Sequence, residues 1–310
     1  MNTAVIRLDD YDFLQVEGAR ALPFLQGQLT CNVQEATPAA VLPGAHCTPK
    51  GRVISSFLLW AQTPESVLLR LRADIAEQSA GVLARYAALS RVRVTRADLA
   101  CIGLLGDGAE AVLRELFPEW PVRPRELVAA GARRLLRRDG DGDGAQFEIW
   151  VPGSEGEALW QQLAARLPVA DAGRWRLALV RAGAAEVQNA TVDQFLPQML
   201  GYDESGAVSY RKGCYTGQEI IARTHYKGSV KRRLRRLAGA GSACPAVGSE
   251  LRARDGGRAV GSVVESAMDG ESRFELLAVL ADEALDGANC LATTARGETL
   301  DLLPLAYTVG

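Results

Sequence analysis

The stretch Arg211-Lys212-Gly213-Cys214-Tyr215-Thr216-Gly217-Gln218-Glu219 stands where the pattern of the chain changes. It lies inside a long segment, residues 188–231, that is rich in glycine, polar groups and aromatic side chains and has no clear periodicity. Before this segment, helical and strand patterns alternate, and after it only short strands follow. Long irregular segments inside compact proteins are often functional. The stretch is therefore predicted to lie between the two parts of the fold and to be the functional centre of the protein.

The chain after residue 231 predicts a small closed β-barrel, because short apolar runs recur there between glycines. The strands expected in this part cover residues 234–237, 250–254, 259–265 and 274–280, and a last one begins at residue 292.

The chain before residue 98 predicts mixed strands and helices. Strands are expected at residues 5–8, 13–16, 53–60, 67–72 and 91–95, and a helix at 19–30. Asp74 and Glu77 have the spacing of a capping box, which predicts a second helix that carries Ile75, Val82 and Tyr86.

Residues 101–168 predict a compact module with the order β-α-β-β-α of a ferredoxin-like unit. Its last two strands, 134–138 and 146–151, should form a hairpin, and Ser154 with Glu157 should cap the final helix. The run 139–144 alternates Asp and Gly and predicts the hairpin turn. It resembles the start of a calcium loop, but Trp150 stands where that loop needs a bidentate Glu.

Together the patterns predict an α+β protein in four segments: 1–98, 99–170, 171–230 and 231–310. The 310 residues are too many for one ordinary core. A helix is expected at 175–185, just after the inserted ferredoxin-like module.

The composition is that of a soluble globular protein, with 48% apolar and 23% charged residues and a net charge of −2. Acidic residues near the start and the lack of an apolar run of about 18 residues predict a cytoplasmic protein without a membrane partner. The six cysteines lack the spacing of a zinc or iron–sulfur motif, so free thiols and no bound metal are expected.

Basic residues are concentrated between positions 211 and 236, where nine occur with a single acid, Glu219. Three of the four lysines of the chain lie there. This pattern is compatible with a solvated charged face at a domain junction. The sharper alternative is a binding patch for an anion, either a carboxylate-rich ligand tail or an RNA backbone.

Cys214 is the candidate nucleophile of this region. Lys212 precedes it by two residues, and nearby cations favour the thiolate. Gly213 and Gly217 would let the backbone approach a ligand or turn sharply. The alternative is a buried structural cysteine in a tight turn.

The motif matches the YgfZ-type family, whose signature reads K-G-C-Y-x-G-Q-E. Three further stretches also resemble family segments, in the same order along the chain. They are Phe24-Leu25-Gln26-Gly27-Gln28-Leu29-Thr30-Cys31-Asn32-Val33, His46-Cys47-Thr48-Pro49-Lys50-Gly51-Arg52 and Gln194-Phe195-Leu196-Pro197-Gln198.

The resemblance implies a fold related to the folate-using aminomethyltransferase of glycine cleavage. That fold is a ring of three domains around a central hole, closed by a C-terminal β-barrel. Segments 1–98 and 171–230 would be the two parts of the folate-binding domain. The resemblance also implies tetrahydrofolate or another reduced folate as cofactor. It further implies support of iron–sulfur proteins, such as the methylthiotransferase that thiomethylates tRNA, and of iron–sulfur cluster assembly.

The resemblance assigns roles to individual residues. Cys214 is a possible catalytic residue, with Lys212 beside it, and Tyr11 and Trp175 are aromatic contacts for the folate. The remaining candidates for cofactor binding are Gln198, Tyr215, Gln218, Glu219 and Arg223.

Two other functions stay open from the residues alone. The first is a folate-dependent one-carbon (aminomethyl) transferase, although the catalytic Asp of those enzymes has no clear match here. The second is an RNA-binding module that uses the basic patch, with tRNA binding that is direct but weak. The sequence leaves open whether Cys214 attacks a sulfur, attacks a one-carbon adduct or holds iron.

Overall fold

The computed structural model describes residues 3–138, 140, 144–255, 257–286 and 289–306. Three antiparallel sheets and six α-helices form a mixed α/β fold within these ranges. Strands and helices are numbered below in chain order.

The first sheet carries the segments expected before residue 98. Its strands are β2 (Tyr11–Glu17), β3 (Leu42–Cys47), β4 (Val53–Thr63), β5 (Ser66–Arg72) and β6 (Arg93–Arg96), in the spatial order β3-β4-β5-β2-β6. The helices are α1 (Ala21–Gln26) and α2 (Ala76–Ala87). α1 is shorter than the predicted 19–30, because the chain leaves the helix at Gly27.

The capping box predicted at Asp74 is wrong. A 3-10 turn, Ala73–Ile75, precedes α2, and no side chain caps that helix. The Asp74 carboxylate instead accepts from the backbone N–H of Asn189, at 2.9 Å, across the fold.

The second sheet carries the inserted module. Its strands are β1 (Ala4–Arg7), β7 (Leu99–Leu105), β8 (Leu127–Ala130), β9 (Arg133–Arg137) and β10 (Gln146–Pro152), in the order β1-β7-β10-β9-β8. α3 (Ala109–Leu116) and α4 (Gly153–Ala164) accompany it. The predicted hairpin is confirmed as β9 paired with β10. The predicted order lacked β8, and the first strand of the chain pairs with β7 at the edge of this sheet.

The second predicted capping box is also wrong. α4 begins after Pro152 without a side-chain cap, and the Glu157 carboxylate instead accepts from Arg7 at 2.7 Å. In the Asp-Gly run, residues 139 and 141–143 lie outside the described residues, so the turn expected there stays a prediction.

The third sheet confirms the strand pattern after residue 231. Its strands are β11 (Arg232–Ala240), β12 (Glu250–Ala253), β13 (Ala259–Met268), β14 (Arg273–Ala281), β17 (Ala292–Thr293) and β18 (Leu300–Leu303). The spatial order is β17-β12-β13-β14-β11-β18, a half-barrel. One bridge between Thr293 and Thr299 links its two edges. β15 (Leu285–Asp286) and β16 (Asn289–Cys290) form a small separate hairpin.

The segment between the second and third sheets ties the fold together. α5 (Ala172–Arg181) packs against β13 and β14, and Asp171 caps its first turn by accepting from the Arg174 N–H. One apolar cluster runs from the first sheet through residues 180–221 into β11, β13 and β14. This core joins residues of the predicted segments 1–98, 171–230 and 231–310. The predicted domain boundaries stay predictions.

Candidate functional site

Lys212 ties the motif loop, residues 211–219, to the chain after α1. Its ammonium donates to the carbonyl oxygens of Leu29, at 2.7 Å, and Cys31, at 2.8 Å. The same ammonium lies 5.0 Å from the centre of the buried Tyr215 ring. Burial lowers the pKa of Lys212 to about 8. Lys212 therefore still carries its charge at neutral pH and anchors the loop from inside.

Two glycines let the motif loop lie against the turn at residues 48–52. Gly217 has a φ of 86°, and a Cβ there would stand 2.6 Å from the Thr48 carbonyl oxygen. Gly51 has a φ of 75°, and a Cβ there would crowd Ile220 and Ile221 at 3.2 to 3.3 Å. Side chains other than glycine rarely adopt such φ values. Both positions therefore need glycine for geometry and for space.

Two polar side chains complete the contacts of the loop. The Thr216 N–H donates to the Gly27 carbonyl at 3.2 Å, and its hydroxyl donates to the Gln28 side chain at 3.3 Å. Gln198 Nε2 donates to the Ile221 carbonyl at 2.7 Å, inside α6 (Gln218–Lys227). The four stretches that carry the family resemblance therefore meet in one cluster.

Cys214 is the exposed residue that this cluster presents. Of the six cysteines, it alone is exposed, whereas Cys244 is half-buried and the others are buried. Burial raises the pKa of the Cys31 thiol to about 12 and also raises that of Cys47. Since the thiolate is the nucleophile, these buried sulfurs are poorly reactive. The alternative of a buried Cys214 is excluded by its exposure.

The structure separates Lys212 from the role expected beside Cys214. The ammonium is directed at Leu29 and Cys31 and is 9% exposed, whereas the thiol faces solvent. The geometry therefore does not support the expectation that Lys212 acts on the Cys214 thiol. A catalytic role for Lys212 stays a prediction, and its observed role is to position the loop.

The other predicted cofactor-binding residues near the motif loop lie partly in the interior and partly at the surface. Gln198 and Tyr215 are buried, Gln218 is half-buried, and Glu219 and Arg223 are exposed on α6. None of these five residues lines the central cleft between the first sheet, the inserted module and residues 183–207.

A cleft lies where the first sheet, the inserted module and the 183–207 segment meet. Its cavity volume is about 100 Å³, and it opens to solvent. Its lining includes Val41, Phe57, Leu136 and Leu200 on the apolar walls, and the charged groups of Arg137 and Glu186.

Glu186 is a largely buried carboxylate in the wall of this cleft, with 12% of its side chain exposed. It accepts from the Tyr11 hydroxyl at 2.6 Å and from an Arg70 nitrogen at 2.7 Å. Burial acts to raise the pKa of Glu186, but Arg70, Arg138 and Arg72 outweigh burial and hold the pKa below its usual value. Glu186 therefore keeps its charge at neutral pH.

Tyr11 and Trp175 lie behind Glu186. The Trp175 indole N–H donates to the Tyr11 oxygen at 3.3 Å, and both rings are buried in one apolar cluster. The Arg70 guanidinium covers the Tyr11 ring at 3.8 Å. Neither ring is among the described residues that line the cleft. Direct stacking on a folate stays a prediction for both, and the observed contact positions Glu186.

Sequence reasoning missed the buried ion network beside the cleft. Arg70 pairs with Glu148 and Glu186, and Arg138 lies 3.2 Å from Glu148. A signal was present, since Arg70 interrupts the apolar run of β5 and Glu148 interrupts that of β10. Charged residues are almost never fully buried unless they are paired.

Within the described residues, no three His, Cys, Asp or Glu side chains are grouped so that they could hold a metal ion. None of the helices in these ranges combines the length and the apolar character needed to cross a bilayer.

A second groove lies between α5 and the half-barrel, and Glu265 is its buried acid. The Glu265 carboxylate accepts from Gln188 Nε2 at 2.8 Å and from the Ser266 N–H at 3.1 Å. Burial raises the pKa of Glu265 to about 7, although Arg72 opposes the shift. The groove thus contains a carboxyl group that titrates near neutrality.

We expect Glu265 to make the protein less stable as pH rises from about 4.5 to about 7. In that range the folded state holds a proton that the unfolded state releases, so the free energy of unfolding falls with pH, by about 3 kcal/mol at most. Glu265→Gln should flatten this slope in urea unfolding curves. Glu271→Gln, an exposed carboxylate of the same half-barrel, is the control. A slope in Glu265→Gln equal to that of the wild type would contradict the assignment.

Comparisons with known proteins agree with the resemblance drawn from the motifs. A tRNA-modifying protein YgfZ from Shigella dysenteriae is 29% identical over 308 residues, covering 98% of this chain and 93% of that protein. The protein of the same name from Escherichia coli strain SE11 has the same identity and coverage. No protein-family model matches the chain. The likeness to YgfZ-type proteins is therefore confirmed over nearly the full length.

The fold matches a solved structure of the glycine cleavage system aminomethyltransferase T from Bartonella henselae. The TM-score is 0.80 at 18% identity, over 99% of this chain and 87% of that one. At this identity the match establishes the fold, which is the mixed α/β fold of that aminomethyltransferase.

Proposed function

We propose that this relative of the YgfZ-type tRNA-modifying proteins binds a reduced folate in its central cleft and supports tRNA thiomethylation by iron–sulfur enzymes. The observation that carries the folate proposal is Glu186, a charged and largely buried carboxylate in a cleft with apolar walls. The proposal also includes an architecture in which three domains surround the cleft and the C-terminal sheet forms a closed barrel. Tetrahydrofolate is the reduced folate that we propose as the ligand. We also propose that the protein is cytoplasmic.

The side-chain chemistry at the cleft supports the proposal at both ends of a folate. The pyrimidine half of a reduced pterin is flat and has neighbouring N–H donors on one edge, and a carboxylate accepts two such donors side by side. Glu186 is held by Tyr11 and Arg70, so its orientation is fixed before binding. Arg137 at the cleft supplies positive charge for the glutamate tail. When bound, the folate would supply one-carbon chemistry, while these residues bind and orient it.

Cys214 is the second functional element of the proposal. The motif loop holds this thiol at the surface, and it does not line the cleft. A thiol in solvent is accessible to a protein partner, such as an iron–sulfur methylthiotransferase. The proposal therefore assigns folate binding and the work of Cys214 to two separate sites.

We expect Glu186→Gln to bind tetrahydrofolate roughly 10- to 100-fold more weakly than the wild type. One charge-assisted pair of hydrogen bonds is worth about 1.5–3 kcal/mol. Isothermal titration calorimetry with tetrahydrofolate measures the change. Glu157→Gln, an exposed carboxylate of α4, is the matched control and should bind like the wild type.

A second variant separates ligand contact from folding, because Glu186 also pairs with Arg70. Ala184→Phe adds a ring to the cleft lining without removing an ion pair. It should also weaken folate binding while its thermal unfolding stays close to that of the wild type. Wild-type folate affinity in both variants would refute the cleft as the site. Production of methylene-tetrahydrofolate from an aminomethyl donor would instead indicate the transferase alternative.

A further inference from the structure

The surface formed by α6 and the chain leading into β11 has exposed positive charges without acidic partners. Among the described residues, these side chains make no ion pair, in contrast to Arg235 and Arg236, which pair with Asp282 and Glu275. The exposed unpaired cations are Arg211, Arg223, Lys227, Lys231 and Arg232. We call this set the α6 face. It stands on a chain whose net charge is −2, so the charge is local.

An aromatic stack stands on the α6 face. The rings of Tyr210 and His225 are stacked, with centroids 3.8 Å apart and planes 13° from parallel. Tyr226 meets His225 edge-on at 4.7 Å and is 66% exposed. Tyr226 is thus an exposed ring near the end of α6 that two further rings contact edge-on.

The other large apolar side chains that are exposed lie away from this face. Leu89, Val122 and Val169 are exposed elsewhere, on other elements of the fold. A membrane surface would need several apolar groups next to the cations. The α6 face has cations and stacked rings instead, which is the combination that binds the backbone and the unpaired bases of single-stranded nucleic acid.

We propose that the α6 face binds RNA, with phosphates on its cations and an unpaired base stacked on Tyr226. The inference rests on the proposed role in tRNA modification, for which it names the RNA-contacting surface. It uses residues outside the folate cleft. Glu219 lies on the same helix and is the one acid between positions 211 and 236. Cys214 lies four residues before α6 and would stand near the bound strand.

The test is the binding of fluorescently labelled tRNA to the full chain at several salt concentrations. Tyr226→Ala should weaken binding about 5- to 150-fold, the loss expected for one base stacked on an aromatic ring. The double variant Lys227→Gln, Lys231→Gln should lower the slope of log affinity against log salt by about 1.4, because each lost phosphate contact removes about 0.7.

Helix α2 provides matched controls, because it also carries an exposed arginine next to an exposed tyrosine, Arg85 and Tyr86. Tyr86→Ala should bind tRNA like the wild type. So should a double variant that combines Arg85→Gln with Arg20→Gln, an exposed arginine directly before α1. All the altered side chains are exposed, so the variants should fold normally, as a thermal unfolding curve will show.

Three results would overturn the inference. The first is the absence of tRNA binding at low salt, and the second is an equal effect of the α6 variants and the control variants. The third is binding to vesicles of anionic phospholipid that depends on Tyr226 and the lysines, when tRNA binding does not depend on them. Tetrahydrofolate titrations on the same samples separate the two proposals. Intact folate binding with no RNA binding would reject the α6 face alone, and the reverse would reject the cleft alone.

Discussion

Cys214→Ser should fold like the wild type and fail to support tRNA thiomethylation. The side chain is exposed, so replacing sulfur with oxygen removes no packing. A serine hydroxyl is neither a thiolate nucleophile nor an equivalent ligand for soft metals. The measurement is the level of thiomethylated tRNA in a bacterial strain that lacks its own YgfZ-type protein and carries either variant. We expect the level given by Cys214→Ser to equal that of the empty vector.

The control for this experiment is Cys244→Ser, at the half-buried cysteine of the second groove. It should restore thiomethylation as well as the wild type does. Alkylation by iodoacetamide under native conditions gives a direct check of exposure, since the rapidly labelled thiol should disappear in Cys214→Ser only. Full complementation by Cys214→Ser would remove the thiol from the proposed function and leave the folate cleft unaffected.

The motif was readable from the sequence, but the direction of its side chains was not. The spacing placed Lys212 two residues before Cys214, which suggested a charge acting on the thiol. In the fold, the ammonium turns inward to the carbonyl groups of Leu29 and Cys31. These acceptors come from nearly two hundred residues earlier in the chain. Local spacing cannot show which acceptors the tertiary structure supplies.

The strand predictions were correct where the burial of side chains alternates or is continuous along the strand, as in β5 and β11 to β14. The capping boxes failed for a different reason. Asp74 and Ser154 have the right spacing, but in each case the backbone enters the helix elsewhere and no side chain caps it. Asp74 finds a long-range donor, the Asn189 N–H, instead. Tertiary hydrogen bonds outweigh a local preference of about 1 kcal/mol.

The cleft could not be located from sequence, because its walls come from separate segments. Glu186 was not singled out from the sequence, where it is a single acid between Ala185 and Val187. Its importance follows from Arg70, Tyr11 and the cleft meeting at one point. The aromatic pair Tyr11 and Trp175 was singled out from the resemblance alone. The structure places the two rings together, although behind the cleft wall.

Arg70→Met should lower the free energy of unfolding by about 3–5 kcal/mol, the loss typical of a broken buried ion pair. The Arg70 Nε donates to Glu148 at 3.0 Å, and another nitrogen donates to Glu186 at 2.7 Å. Glu148 is fully buried and would keep Arg138, the Trp150 N–H and the Cys101 thiol as its partners. Urea unfolding measures the loss. Arg93→Met, which breaks a surface pair with Glu17, should cost no more than about 1 kcal/mol.

The pH dependence of this loss identifies its cause. In the wild type, burial acts to raise the pKa of Glu148, but Arg70 and Arg138 outweigh it and hold the pKa at about 2. The stabilisation is therefore present above pH 4.5 and is lost as pH falls towards 2. Without Arg70, burial should raise the pKa of Glu148, so the variant gains a proton in the folded state. The difference in the free energy of unfolding between wild type and variant should therefore shrink as pH falls from neutral to about 4.

A second substitution, Glu148→Leu in the Arg70→Met background, removes the unpaired charge and should recover part of the stability. A loss that neither low pH nor this second substitution relieves would show that Arg70 acts by packing on Tyr11 rather than by charge.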